Sequence, residues 1–438
     1  MHNRKFYNWF LEFFLLPIGD WMLGTNYIRE LRRWRNIQWF SDEKLQKTQQ
    51  HSLQKLLMHA VEKVPYYRDL SIQSEDNPVA WLKKFPILYK SDIKANIGKM
   101  VLGNSSTLVK EVSSGSSGIQ VEVYMSKLEA SSTQALQTLL WEWAGYRLGK
   151  PLLQLGMTTT RGFVKRLKDI VLRTNYQQAF NLNSIEASEV LSSIKGNEVF
   201  FGGYASGLYA YALLAKEPVT FKSVISWGDK MFEHYRSRIE SVFKSRVFDT
   251  YGCTEGFVIA GQCEEGNYHI LSPHIKLELV NSEGREVEPG ELGYVVVTRL
   301  DGYSMPLIRY YLGDLAIKED PAIRCLCGRS LPMLKQIIGR DTDIVKTRSG
   351  KMLIVHFFTG ILEHFPSIRQ FRIVQYSLDE IVLEYIPESH IFTHDVLDAI
   401  HNVIQSKAQE DLKINFKEVE VIEPTASGKP QIIKSMLD

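Results

Sequence analysis

Apolar positions along this chain recur with two different periods, and the switches between them outline its elements. Trp9, Phe10, Phe13 and Phe14 return at helical spacing and predict an amphipathic helix from Phe6 to Leu16, closed by Pro17. Residues 27–96 read as helical and basic-aromatic, with Tyr66-Tyr67-Arg68 following Pro65. Residues 108–127 read as strand, glycine turn, strand, and a helical pattern follows from Lys127 to Trp143. Short apolar runs then alternate with helical stretches: 199–201, 223–226 and 246–249. That alternation predicts an α/β layered core. From 269 to 318 the pattern turns to β, with a strand at 275–280, turns at Glu283-Gly284 and Pro289-Gly290, and a strand at 293–298. Past Gly339-Arg340 the reading is helix 357–365, strands 371–375 and 381–385, helix 394–407 and strand 416–422. The expected organisation is therefore a large layered domain over 1–338, with a leader helix within 1–26, and a small mobile α+β domain over 339–438.

Length agrees with two domains, since 438 residues exceed what one ordinary core holds. A net charge of +2 gives no case for nucleic acid but leaves room for a small anionic substrate. The leader is interrupted by Glu12 and falls well short of the ~20 apolar residues a span requires. It also lacks the small-residue pattern of a signal-peptide cleavage site. Two readings stay open for it: a helix packed on the domain, and an interfacial anchor. Four cysteines do not make a disulfide scaffold.

Candidate chemistry sits in five places. Ser113-Ser114-Gly115-Ser116-Ser117-Gly118 offers backbone amides and hydroxyls to phosphate oxygens, although alone such a run reads as a solvated loop. Asp249-Thr250-Tyr251-Gly252-Cys253-Thr254-Glu255 offers a flat ring, a hydroxyl and a carboxylate for Mg²⁺; alone it reads as a strand end. Arg309-Tyr310-Tyr311-Leu312-Gly313-Asp314 places a carboxylate after a glycine turn, suited to a ribose diol. The last two are Gly339-Arg340-Asp341-Thr342-Asp343 and Thr425-Ala426-Ser427-Gly428-Lys429.

In this order and at these separations, the five resemble the adenylate-forming superfamily, and most of all its phenylacetate–CoA ligase and CapK-like branch. The resemblance covers roughly residues 60–438. It implies a carboxylate-activating ligase in which ATP and an acid give acyl-AMP and pyrophosphate, after which coenzyme A takes the acyl group. Carried across, Ser113, Ser114, Gly115, Ser116, Ser117 and Gly118 hold the β- and γ-phosphates. Tyr251 and Gly252 meet adenine, with Gly228 and Asp229 on the other side. Thr254 touches phosphate, Glu255 Mg²⁺, Asp314 and Arg340 the ribose, and Lys429 the carboxylate and α-phosphate. Three departures stand out. The loop reads Ser-Ser-Gly where Thr-Thr-Gly is common, the hinge position holds Thr342, and Glu423-Pro424-Thr425 stand where an arginine is usual.

Cys263, His269, Cys325 and Cys327 form a donor set suited to tetrahedral structural zinc, provided the β-rich region brings its two halves together. Unligated buried thiols are the other reading. The acid pocket is expected along Phe200–Gly207 and at Tyr124, whose aromatic walls favour an apolar acid. The acceptor stays open between coenzyme A and an amine or sugar of a surface polysaccharide. A non-catalytic nucleotide-binding relative is the third reading, with Glu255, Asp314 and Lys429 standing against it. The expected setting is cytoplasmic, with a peripheral membrane contact through the N-terminus and a homodimer among the partners considered.

Overall fold

The computed structural model describes residues 2–112, 121–156, 162–179, 184–194, 198–340, 344–349, 352–362, 364–365, 367–388, 392–409, 412–423 and 431–437. The chain forms two compact units. One takes the described residues up to 312 and 317–336; the other takes 313–316 and the described residues from 337 onward.

The first unit opens with α1 (His2–Phe10), a π turn over Leu11–Leu15, and α2 (Leu16–Leu23). One face of this leader is held inward. Leu11 is fully buried, Glu12 pairs with Arg35, and the Tyr7 hydroxyl donates to Val171 O at 2.7 Å. The Asp20 carboxylate accepts from the amides of Tyr27 and Ile28 at 3.1 and 2.8 Å, capping α3 (Tyr27–Ile37). The leader is thus packed on the domain while its aromatic face stays exposed. Helices α4 (Asp42–Lys63), α5 (Pro65–Asp69), α6 (Pro78–Lys83) and α7 (Lys90–Met100) follow. Strands β1 (Val109–Val112) and β2 (Glu122–Met125) pair antiparallel, inside the expected 108–127 segment. Helix α8 (Lys127–Trp143) starts at a reciprocal cap between Ser126 and Glu129.

Alternation then builds β3 (Leu152–Gly156), α9 (Phe163–Leu172), β4 (Thr174–Gln178), α10 (Ser184–Ile194), β5 (Phe200–Tyr204), α11 (Ala205–Leu214), β6 (Val224–Trp227), α12 (Glu233–Phe243) and β7 (Val247–Cys253). Strands β8 (Phe257–Gln262), β9 (Tyr268–Ile270), β10 (Ile275–Val280), β11 (Leu292–Arg299), β12 (Tyr310–Lys318) and β13 (Met333–Arg340) complete the large sheet. Its order is β10-β11-β12-β13-β9-β8-β7-β6-β5-β3-β4. Strands β3 to β7 run parallel, and β8 and β9 return antiparallel.

Successive residues of the parallel strands serve opposite faces. Phe200 and Ile225 join one core with Leu136 and Tyr146, whereas Phe201, Val224 and Val247 join another with Leu208 and Phe243. Phe200 and Phe201 are therefore core residues and not the expected pocket wall. The Phe201 ring centroid lies 4.7 Å from that of Phe221. Burial on both faces also explains why these strands read as continuous apolar runs.

A second difference concerns Gly313-Asp314. The pair lies inside β12, where Gly313 takes φ +78°, so the positive angle kinks a strand and does not end one. Just before it, Tyr67 clamps the chain: its hydroxyl donates to Pro306 O at 2.9 Å and accepts from Ile308 N at 3.2 Å. Arg309 holds φ +51° and binds Glu278 through Nε at 3.2 Å and Phe85 O through Nη1 at 2.9 Å. These fully buried contacts fix a backbone that a non-glycine residue seldom adopts.

The second unit contains β14 (Ile344–Lys346), β15 (Met352–Ile354), α13 (Val355–Leu362), β16 (Ile368–Ser377), β17 (Glu380–Pro387), α14 (Asp395–Ala408), β18 (Lys413–Glu418) and β19 (Ile433–Ser435). Its four-stranded sheet runs β18-β17-β16-β19. Arg372, Glu384 and Lys417 form an ion ladder across three strands, at 2.6 and 3.1 Å. Strand β18 begins at Lys413, earlier than the expected 416, because its parallel register with β17 starts at Glu380↔Lys413.

Tyr67→Phe removes a buried hydroxyl with two backbone partners and leaves both unpaired. Calorimetry should show the first unit destabilised by about 1–3 kcal/mol.

Candidate active site

The strand order reverses beside β3, since β4 lies on one side of it and β5 on the other. Ligands of parallel α/β sheets settle outside the carboxyl ends of the strands near such a reversal. The carboxyl ends of β5, β6 and β7 carry Tyr204, Trp227-Gly228-Asp229 and Tyr251-Gly252-Cys253 respectively. Four residues of the sequence motifs thus come to one edge of the first unit: Gly228, Asp229, Tyr251 and Gly252.

Local reasons for each position are clear. A Cβ on Gly252 would lie 2.4 Å from Phe257 O, so only glycine lets β8 fold back this tightly on β7. The register slips between Tyr251 and Gly252, which turns the tip aside. Gly228 takes φ +83°, and a Cβ there would fall 2.6 Å from the Tyr204 ring. Asp229 does a structural job: its carboxylate accepts from Ala205 N at 2.5 Å and Ser206 N at 3.2 Å, and from the Ser206 hydroxyl. It therefore caps α11 from twenty-four residues downstream.

The tip of the β7–β8 hairpin holds Thr254, which is exposed, and Glu255, which is buried. The Tyr310 hydroxyl donates to Glu255 Oε1 at 3.0 Å, and Thr254 Oγ1 donates to Oε2 at 3.3 Å. Lys90 Nζ lies 4.0 Å from Oε1. A buried carboxylate needs such partners. Sequence reasoning missed Lys90 altogether. It is the first residue of α7, and a single lysine at a helix start carries no pattern. Tyr310 stood inside a motif but had no role assigned.

Behind the tip lies a polar line within the sheet. Asp249 accepts from Ser226 Oγ at 2.7 Å and from the Tyr268 hydroxyl at 2.6 Å. Burial pushes its carboxyl up to about 6, against the opposing pull of these two bonds and of Arg236.

The second unit holds Asp314 on β12 and Arg340 at the end of β13, both half-buried. Ser113, Ser114, Gly115, Ser116, Ser117 and Gly118, the hinge position Thr342, and Ser427-Gly428-Lys429 lie outside the described residues. A cavity of about 410 Å³ opens elsewhere, against Ile87, Tyr89, Asn281, Tyr294 and Tyr311; of the motif residues, Tyr311 alone lines it.

Fold also unites the halves of the cysteine set. The ligand atoms of Cys263, His269, Cys325 and Cys327 all lie within 4.8 Å of one another. Cys263 Sγ is 3.6 Å from Cys325 Sγ, and His269 Nε2 is 3.2 Å from Cys327 Sγ. A tetrahedral zinc sets its ligand atoms roughly 3.5–3.8 Å apart. His269 Nδ1 donates to Leu331 O at 3.0 Å, which leaves the Nε2 lone pair facing the sulfurs. Asn267 Nδ2 and Glu265 N donate to Cys325 and Cys263 sulfur at 3.1 and 3.3 Å. Burial holds the imidazole below its usual range, which favours its neutral form. Cys253 stands apart from this set.

Comparison with known proteins adds family context. A family model described as the CapK C-terminal domain matches residues 343–436. Phenylacetate-coenzyme A ligase of Thermus thermophilus is 24% identical over 342 residues, covering 70% of this chain and 72% of that protein. Protein CapK of Staphylococcus aureus is 21% identical over 364 residues, covering 80% and 79%. Among solved structures, a 2-hydroxyisobutyryl-CoA ligase in the postadenylation state with its acyl-AMP superposes with TM-score 0.73, at 19% identity over 90% of both chains. The last likeness shows the fold: a mixed α/β domain with a large sheet, and a smaller C-terminal domain.

A carboxyl whose folded pKa is raised stabilises the fold below its unfolded value, and that contribution is lost as pH rises through the folded value. For Asp249 the window runs from about 4 to about 6. Asp249→Asn should therefore gain in melting temperature relative to the parent as pH rises across that window. A difference that stays constant with pH would refute this.

Proposed function

For a chain of the phenylacetate–CoA ligase and CapK-like branch of the adenylate-forming superfamily, we propose an ATP-dependent acid–thiol ligase. The observation that carries this is the hairpin after β7. It puts Tyr251, Thr254 and the buried Glu255 together at the carboxyl edge of a parallel sheet, with Gly228 on the neighbouring strand. In the first half-reaction a carboxylate oxygen of the acid bonds to the α-phosphorus of ATP. The bond from that phosphorus to the bridging oxygen breaks, and pyrophosphate leaves. In the second, the thiol of coenzyme A bonds to the acyl carbon, AMP departs, and the thiol proton passes to solvent or a base.

Negative charge gathers on the oxygens flanking the phosphorus, and the acid repels the triphosphate. Lys429 is assigned to neutralise that charge, and the 113–118 segment to cradle the phosphates. Glu255 is the carboxylate that would hold Mg²⁺, which supplies Lewis-acid stabilisation of the phosphates. Lys90 and Tyr310 hold that carboxylate in place. Tyr251 faces adenine, Asp314 and Arg340 take the ribose, and residues 339–438 form the domain that moves between the two steps. The complexes of the solved relatives, with acyl-AMP and with coenzyme A, support this order of events.

The match of 343–436 to the CapK domain supports a second reading, transfer to an amine or sugar acceptor in surface-polysaccharide assembly. Cys263, His269, Cys325 and Cys327 are proposed to hold a structural Zn²⁺, on the strength of their donor types and spacing.

Lys429→Ala should lower acid-dependent pyrophosphate exchange by roughly 10²–10³-fold or more while ATP binding persists. Exchange at the parent rate would refute the assignment. An acid screen for AMP release with and without coenzyme A separates the acceptors: thiol-dependent turnover supports the ligase, and thiol-independent turnover the second reading. Metal analysis should give one zinc per chain, and Cys263→Ser should lose both the metal and melting temperature. Metal-free protein of parental stability would remove the site.

A further inference from the structure

The leader turns a continuous aromatic ladder to the outside. Phe6, Trp9, Phe10, Phe13 and Phe14 are all exposed, and their rings contact one another at centroid distances of 5.3–6.4 Å. The π turn adds one residue to the helical period, which keeps Leu11 and Glu12 inward while Phe13 and Phe14 extend the outer stripe. Trp21 and Met22 on α2 are 84% and 71% exposed. Large apolar groups this open, and this contiguous, mark a surface that meets something.

Helix α9 repeats the arrangement. Phe163, Leu167 and Ile170 recur at i, i+4, i+7 and are 81%, 51% and 74% exposed. It is joined to the leader: Tyr7 donates to Val171 O at 2.7 Å, and the Arg173 guanidinium sits 4.1 Å above the Tyr7 ring.

Charge distinguishes the occupants. Residues 1–40 carry six basic and three acidic side chains, and residues 162–173 carry four and one. The chain as a whole is only +2, so these two short segments hold its positive excess and the remainder is net negative. Glu12 and Glu30 are already matched by Arg35 and Arg33, and Arg29 stays exposed. Aromatic side chains rimmed by lysine and arginine suit the headgroup region of a bilayer. A second copy of the same face would bring like charges together. Among the described residues, no helix is long and apolar enough to cross a membrane, so such a surface lies on the bilayer.

We propose that α1, the π turn, α2 and α9 form one docking surface for an anionic lipid bilayer, the aromatic ladder entering the headgroup layer and the exposed basic residues Arg29 of α3 and Lys165 and Arg166 of α9 facing lipid phosphates. This rests on the leader, α3 and α9 and stands apart from the ligase reading.

Flotation of the full chain with vesicles tests it, using phosphatidylcholine alone and phosphatidylcholine mixed with phosphatidylglycerol. The parent should float with the mixed vesicles, less so as salt rises. Trp9→Ser with Phe14→Ser should cut partition by about tenfold or more on the mixed vesicles. Lys165→Glu with Arg166→Glu should cut it by about tenfold on the mixed vesicles and leave the neutral ones unchanged. Both double variants alter exposed side chains, and an unchanged circular-dichroism melt verifies their folding. If a variant does not fold, the salt response of the parent decides in its place. No flotation of the parent, or undiminished flotation of either folded variant, overturns the proposal. So does a parent dimer by light scattering that becomes monomeric in the leader variant without any flotation; the face would then belong to a second copy.

Discussion

Phe257 O occupies the space that a side chain on residue 252 would need, with only 2.4 Å to an ideal Cβ. Because residue 252 is glycine, β8 turns back on β7 without a clash, and the sheet changes there from parallel to antiparallel. Most of what gives the first unit its chemistry follows from that reversal. It presents Thr254 and Glu255 at a hairpin tip, swings Tyr251 to the strand edge, and starts the antiparallel run that leads to the cysteine cluster. The same region bears an electrostatic cost. Asp249 is buried one strand-turn behind the tip, and hydroxyls from β6 and β9 keep its oxygens paired. The line Ser226–Asp249–Tyr268 thereby ties three strands in one register.

Two further anchors hold the loops around that edge. Tyr67 and Arg309 fix 306–310 against α5 and β10, and so aim Tyr310 at Glu255. At the other side, Arg329 lies 4.6 and 4.8 Å above the rings of Trp143 and Trp39, and the Trp143 ring meets His269 edge-on at 6.0 Å. The Cys325–Cys327 loop is thus braced against α8 and the turn that follows α3 as well as by its own donors.

Sequence reading captured what local pattern encodes. The β1–β2 hairpin, α8, the order of the motifs and the two-unit α/β plan were legible from periodicity and glycine placement. It also named the four metal-type donors, though their meeting depends on strands β8, β9 and β13 being neighbours, which no spacing expresses. Phe200 and Phe201 were misread because an aromatic pair looks the same whether it lines a pocket or fills two cores. Gly313 was misread because a positive φ serves a kinked strand as well as a turn. Lys90 and the inward Tyr67 hydroxyl gave no signal, since the contacts that give them these roles reach residues more than 150 positions away. Helix α9 went unremarked because its apolar stripe, Phe163, Leu167 and Ile170, is short and faces out.

Asp229 carries a consequence for what the crevice will accept. Its carboxylate already saturates the first free amides of α11, so the partial positive pole of that helix is neutralised from within. An uncapped helix start would ordinarily attract phosphate. Here the Asp229 oxygens already occupy the amides of Ala205 and Ser206, so those two donors are not open to an anion. A capping contact made for folding thereby also withholds the start of α11 as an anion site.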